Sequence, residues 1–132
     1  FAEMVGKNWY MPWRETQSEG CGMGSSDLER AFDTLWQQIG GQSLTAEHRF
    51  APPRRWRFDR AHVPAHIAIE IDGGTYNGGR HVTGAGFTKD CEKLNTAAAR
   101  GWLIFRLTSD MLRDDPVTHL SMIRDKIEDV LT

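Results

Sequence analysis

Residues 56–74, WRFDRAHVPAHIAIEIDGG, contain two strand-like segments and three carboxylates. In the second segment the isoleucines alternate with Ala68, Glu70 and Asp72, so this strand has one apolar face and one face that carries acids. The first segment, RFDRA, contains Asp59. Because neighbouring strands of a sheet align their side chains, we expect Asp59 to lie beside Glu70 and Asp72.

A hairpin leads into this pair of strands. TAEHRFA and RRWRFDRA both have strand character, and they are joined around Pro52-Pro53, which cannot donate to a sheet ladder and so marks the turn. Strict alternation in the second strand would put Phe58 and Asp59 on opposite faces.

Helices flank the strands. The S-x-x-E signature of Ser26–Glu29 predicts the start of a helix that ends at Gly40-Gly41. A second helix is predicted from Thr88 to a cap at Gly101, with four residues turned inward: Cys91, Leu94, Ala97 and Ala98. A last helix starts at Asp115-Pro116, and its predicted buried side holds Val117, Leu120, Ile123, Ile127, Val130 and Leu131.

The segment GWLIFRLTS is a continuous apolar run of strand length, which is typical of a strand buried on both faces. A strand, a helix and a strand form a right-handed crossover, so HIAIEID and WLIFRLT should be parallel neighbours. The predicted order is α-β-β-β-α-β-α, an α/β fold with a mixed central sheet and flanking helices. Residues 26–132 form this domain, and residues 1–25 are interpreted as an aromatic arm with a flexible joint, SEGCGMGSS.

Composition narrows the class of protein. The 132 residues suffice for one domain, and no apolar run approaches the roughly 20 residues of a membrane helix. Cys21 and Cys91 lie in unrelated contexts and imply no disulfide framework, so a reducing cytoplasm is expected. The net charge of −2 gives no overall reason to expect a polyanion partner, but five arginines fall within residues 49–60, beside the acids.

The acids need a counter-charge. Each one alone could be a solvent-facing residue of an amphipathic sheet, but two like charges 4 Å apart repel by about 4 kcal/mol at an effective dielectric near 20. A protonated carboxyl, an arginine or a divalent cation would offset this repulsion, and carboxylate oxygens suit Mg²⁺ or Mn²⁺. We favour the metal ion, because strand ends fix ligand geometry and Gly73-Gly74 lets another backbone approach.

Residues 29–111 resemble the PD-(D/E)xK nuclease superfamily, whose core order is helix, three strands, helix, strand. The likeness is closest to small stand-alone endonucleases of phages and bacteria that are related in pattern to the very-short-patch mismatch endonucleases. Four segments carry it: RFDRA, AIEIDGG, KDCEK and GWLIFRLT. The resemblance implies a restriction-endonuclease-like core, Mg²⁺ or Mn²⁺ as cofactor, and a location in the cytoplasm of a bacterium or of a phage's host.

Carried over residue by residue, Asp59 matches the first acid of the motif and Glu70 the second, the pair that holds the metal ion. Asp72 stands where the superfamily usually has lysine, and an ionised carboxylate cannot donate a hydrogen bond. Lys93 is the best candidate for the missing cation and Lys89 the reserve. Asp72 is then a third metal ligand or a partner for Lys93.

Two further residues match the residues of the superfamily less closely. Glu29 corresponds to an acid that many members carry on the first helix, where it binds a second metal ion or an intervening water, although the capping box also explains it. His81 resembles the histidine of the mismatch endonucleases, but at a longer spacing, so phosphate contact by His81 and Arg80 is the favoured interpretation.

The predicted function is metal-dependent hydrolysis of DNA phosphodiester bonds, with Arg54, Arg55 and Arg57 contacting phosphates beside Arg80 and His81. Little chain remains for reading sequence, which favours selection of a junction, flap, nick or mismatch. A symmetric junction would suit a homodimer. The alternatives are a catalytically inactive DNA-binding module of the same fold and a nuclease directed at RNA.

Overall fold

The computed structural model describes residues 25–72 and 84–132, so most of the predicted arm lies outside the described residues. The helices are α1 (Ser25–Gln38), α2 (Gly84–Ala99), α3 (Ser109–Asp114) and α4 (Pro116–Leu131). The strands are β1 (Thr45–Arg49), β2 (Arg57–His62), β3 (Ile67–Asp72) and β4 (Leu103–Thr108). The predicted order is confirmed, with the short helix α3 added before the last helix.

The four strands form one mixed sheet in the order β1-β2-β3-β4. The hairpin of β1 and β2 is antiparallel, as is the pair of β2 and β3. Strands β3 and β4 are parallel, with Ile67 opposite Leu103 and Glu70 opposite Arg106. The α/β class, the predicted hairpin and the parallel crossover are therefore confirmed.

The isoleucine face of β3 carries the larger core. Its three isoleucines pack against α1 and α4, whose buried residues recur at helical spacing: Leu28, Phe32 and Leu35 from α1, and Leu120, Ile123 and Ile127 from α4. The opposite face of the sheet packs against α2 through small residues, namely Ala61, Ala68 and Ala97, and through Phe58 and Trp102. Helices thus lie on both faces, as predicted, and the side chain of Glu70 lies on the α2 face.

Strand β4 is not buried on both faces, contrary to the prediction. It is the last strand of the sheet among the described residues, with Leu103 43% exposed and Arg106 also exposed. An apolar run predicts a strand but does not show whether the strand is central or at an edge.

Three details of the helices also differ from the predictions. Helix α2 begins at Gly84, before the predicted Thr88, and Ala98 is exposed because it lies 100° around the helix from the buried Ala97. Val130 and Leu131 are 46% and 47% exposed, since the buried stripe of α4 ends at Ile127. None of the described helices is long and apolar enough to cross a bilayer.

Strand β2 departs from regular alternation at Asp59. Phe58 packs on the α2 face, whereas Arg60 reaches α1 on the other face, although residues two apart in a regular strand share a face. The prediction that Phe58 and Asp59 lie on opposite faces is therefore wrong. The pairing of β2 with β3 reaches Arg60 opposite Ile69, and beyond it the amide of Ile71 donates to the carboxylate of Asp59 at 2.8 Å.

Candidate active site

Asp59 and Glu70 meet on the α2 face of the sheet. The Asp59 Oδ2 atom accepts the hydrogen bond from the Ile71 amide, which fixes the carboxylate against β3. The side chain of Glu70 is only 14% exposed, and the Asp59 carboxylate lies close enough to raise its pKa. The structure thus brings together the two acids that the sequence places in one site.

Lys93 of α2 joins this pair. Its Nζ atom donates a hydrogen bond to Glu70 Oε1 and lies 5.8 Å from the centre of the Phe58 ring. The side chain of Lys93 is 20% exposed, whereas Lys89, one turn earlier on α2, is exposed to solvent. Of the two predicted candidates for the cation, Lys93 is the one that contacts Glu70.

The charge balance at this site is incomplete. The pKa of Glu70 is raised from its ordinary value of 4.5 to about 7, because burial and, to a lesser extent, the nearby Asp59 raise it by more than Lys93 lowers it. One ammonium group faces two carboxyl groups here. The carboxyl of Glu70 consequently gains or loses its proton near neutral pH, and an additional cation would favour the ionised form.

A divalent ion fits this pair of acids. Mg²⁺ typically binds one or two carboxylates and completes its shell with water and substrate phosphate oxygens, so Asp59 and Glu70 form a sufficient donor set. Asp72 instead lies 3.4 Å from the Nη2 atom of Arg106. Within residues 25–72 and 84–132 no three His, Cys, Asp or Glu side chains are arranged to hold a metal ion. The interpretation of Asp72 as a third metal ligand stays a prediction.

Arg106 is the residue that sequence reasoning missed. It lies opposite Glu70 on the neighbouring strand and pairs with Asp72, so its charge is beside the acids. The side chain is 49% exposed, which leaves it open to a ligand. Its signal in the sequence was the single charged residue that interrupts the apolar run WLIFRLT.

Glu29 is not part of the group formed by Asp59, Glu70 and Lys93. Ser26 lies inside the first turn of α1, and the Glu29 carboxylate accepts a hydrogen bond from Arg60 Nη1 at 3.2 Å. Asp33, one turn further along α1, accepts two hydrogen bonds from the same guanidinium, at 2.9 and 2.8 Å. Glu29 and Asp33 are spaced i, i+4 on the helix, which is the signal for a shared partner.

The predicted DNA-contacting arginines lie at the start of β2 and in the loop before it. Arg54 stacks over Trp56 at 4.4 Å and lies 3.9 Å from Glu92 of α2, next to Lys93 in sequence. Arg57 pairs with Glu47 at 3.0 Å, and Arg55 is exposed. The Arg54 side chain thus borders the helix that carries Lys93, whereas the predicted contacts at residues 80 and 81 lie outside the described residues.

Comparison with known proteins adds no relative. No protein-family model matches the chain, and neither the curated proteins nor the solved structures contain a match.

Proposed function

We propose that this protein is a metal-dependent endonuclease that hydrolyses DNA phosphodiester bonds, and that its α/β domain is a restriction-endonuclease-like core. The observation that carries the proposal is the meeting of Asp59, Glu70 and Lys93 on one face of the sheet. Two acids and one lysine are the groups that the resemblance to PD-(D/E)xK nucleases requires, and here the lysine comes from a helix.

Each residue has a distinct task in this proposal. Asp59 and Glu70 would hold Mg²⁺ or Mn²⁺, which when bound polarises a phosphate oxygen and lowers the pKa of a bound water. Lys93 would donate a hydrogen bond to the phosphate and offset the negative charge of the transition state. Arg106 contributes a second positive charge beside the same phosphate, because it lies opposite Glu70 on β4.

The arginines at the start of β2 and in the loop before it would bind DNA without reading its bases. Arg54, Arg55 and Arg57 are at the surface, and the planar guanidinium over Trp56 is suited to phosphate contact. These charges would contact phosphates along the DNA backbone. Selection would then depend on the shape of the DNA, such as a junction, flap, nick or mismatch. A homodimer would match the symmetry of a four-way junction, and light scattering in solution would measure it.

A cleavage assay tests the proposal. The purified chain is incubated with a four-way junction, a flap, nicked, mismatched and plain duplex DNA, and the matching RNAs, with Mg²⁺, with Mn²⁺ and with a chelator. We expect metal-dependent cleavage of DNA that falls to background in Asp59→Asn and Glu70→Gln and persists in Glu128→Gln, an exposed site on α4. DNA binding without cleavage would favour the catalytically inactive DNA-binding module. Preferred cleavage of RNA would mean that RNA, and not DNA, is the substrate.

A further inference from the structure

Arg60 connects the two faces of the sheet at the irregular position of β2. Its guanidinium lies on the α1 face, where it binds Asp33 and Glu29, and its Nη1 atom also donates to the backbone carbonyl of Asp59 at 2.6 Å. The side chain is only 11% exposed. We refer to Glu29, Asp33 and Arg60 as the Arg60 network.

Asp59 is therefore held at two points. Arg60 binds its carbonyl oxygen from the α1 face, and the Ile71 amide of β3 binds its carboxylate. Regular strand pairing does not fix this residue, because the pairing of β2 with β3 ends at Arg60 and the pairing of β1 with β2 is interrupted at Asp59. Side-chain bonds take the place of the ladder here.

We infer that the Arg60 network is a positioning device for the metal-binding acid Asp59, so that α1 contributes to the site through Arg60 and not through a ligand of its own. The inference rests on the proposed function. It gives Glu29 a role that differs from the predicted one: Glu29 orients Arg60, and Arg60 orients Asp59. Groups that hold metal ligands in place commonly change metal affinity or activity about 10- to 100-fold when they are altered.

The shape of arginine is required for this task. A guanidinium offers five N–H donors in a fixed plane, and Arg60 uses them on Asp33, Glu29 and the Asp59 carbonyl together. A lysine has the same charge but a single ammonium group, which cannot reach all of these acceptors in one orientation. Arg60→Lys thus preserves charge while removing the positioning.

The test compares Arg60→Lys with Arg30→Lys, which makes the same change at an exposed ion pair of α1. Four quantities are measured in each folded protein: Mn²⁺ affinity by calorimetry, kcat and KM for DNA cleavage, and the exchange rate of the Ile71 amide. For Arg60→Lys we expect Mn²⁺ affinity and kcat to fall by about 10-fold or more, KM for DNA to change little, and the Ile71 amide to exchange several-fold faster. Arg30→Lys should match the wild type.

If Arg60→Lys does not fold, Asp33→Asn is measured in its place. Asp33 is 49% exposed, so this variant should fold, and it keeps Arg60 while weakening the contact that orients it. A folded variant that retains wild-type Mn²⁺ affinity, kcat and Ile71 exchange would overturn the positioning role. Failure of the proposed function looks different: the wild type itself would neither bind Mn²⁺ nor cleave DNA, whereas the exchange rate of Ile71 reports on positioning without any metal or substrate.

Discussion

Two charge clusters lie on opposite sides of the sheet at consecutive residues of β2, and each contains two acids and one base. On the α1 side Arg60 pairs with Glu29 and Asp33, and on the α2 side Lys93 pairs with Glu70, which lies beside Asp59. The bases differ in geometry. The arginine forms a two-point contact with Asp33 and reaches Glu29 as well, whereas the lysine is a single point charge.

The electrostatic consequences differ as well. Hydrogen bonding to Asp33 raises the pKa of Arg60 and so favours its charged form, whereas burial raises the pKa of Glu70 to about 7 and so disfavours its charged form. The first cluster is a satisfied ion network. The second still favours a further cation, and this is the property that separates a candidate binding site from a structural salt bridge.

Removing the base should lower the stability of the protein strongly in the first cluster and very little in the second. Arg60→Met leaves two acids and the Asp59 carbonyl without their donor, and we expect the free energy of unfolding to fall by roughly 2 to 4 kcal/mol, less than for a fully buried pair because Asp33 is half exposed. Urea denaturation measures this. Arg30→Met, at an exposed pair, is the control and should change stability by less than about 1 kcal/mol.

Lys93→Met should lower the activity and leave the stability nearly unchanged. At pH 6 Glu70 can take up a proton when its partner is removed, so we expect the free energy of unfolding to change by less than about 1 kcal/mol, while kcat for DNA cleavage falls by about 100-fold. Lys89→Met on the exposed side of α2 is the matched control. A large loss of stability with cleavage retained would make Lys93 a structural residue.

The pH dependence of stability should distinguish Glu70 from other acids. The unfolded chain releases this proton near 4.5 and the folded chain near 7, so between these values the folded state holds more protons and its stability falls as the pH rises. The penalty is absent below pH 4.5 and reaches about 3 kcal/mol at most above pH 7.

Thermal or urea unfolding of the wild type and Glu70→Gln from pH 4 to 8 measures this difference. The variant lacks the titrating group, so its stability relative to the wild type should increase over the same interval. Parallel curves for the two proteins would mean that Glu70 ionises normally. Saturating Mn²⁺ should reduce the penalty in the wild type alone, because the ion favours the ionised carboxylate.

The parts of the molecule that follow a regular pattern could be predicted from the sequence. The alternation in residues 67–72 gave the apolar face of β3 and the acidic face that carries Glu70, and the crossover rule gave the parallel partner β4. The proximity of Asp59 to Glu70 followed from the expectation that the two strand segments of residues 56–74 are neighbours in the sheet. Lys93 could be proposed only as one of two lysines, because helical spacing alone does not show how close a side chain comes to a sheet.

The unpredicted parts depend on departures from those patterns. A period of two assigns Arg60 to the face of Phe58, and only the packing of β2 between α1 and α2 shows that the strand changes face at Asp59. The capping box suggested a local role for Glu29, yet its partner is 31 residues away. The role of Arg106 could not be predicted for the same reason, because its partner Asp72 lies on a neighbouring strand.

The smallest expected effect concerns the surface beyond both clusters. If Arg54 neutralises one phosphate, Arg54→Ala should reduce the slope of log Kd against log salt by about 0.9 for duplex DNA and weaken binding equally for all sequences. Arg113→Ala, on α3, is the control, because its charge lies in an exposed pair with Asp110. An unchanged slope in Arg54→Ala would mean that Arg54 contacts only Trp56 and Glu92 and no phosphate. DNA would then have to approach the acids from another side of α2.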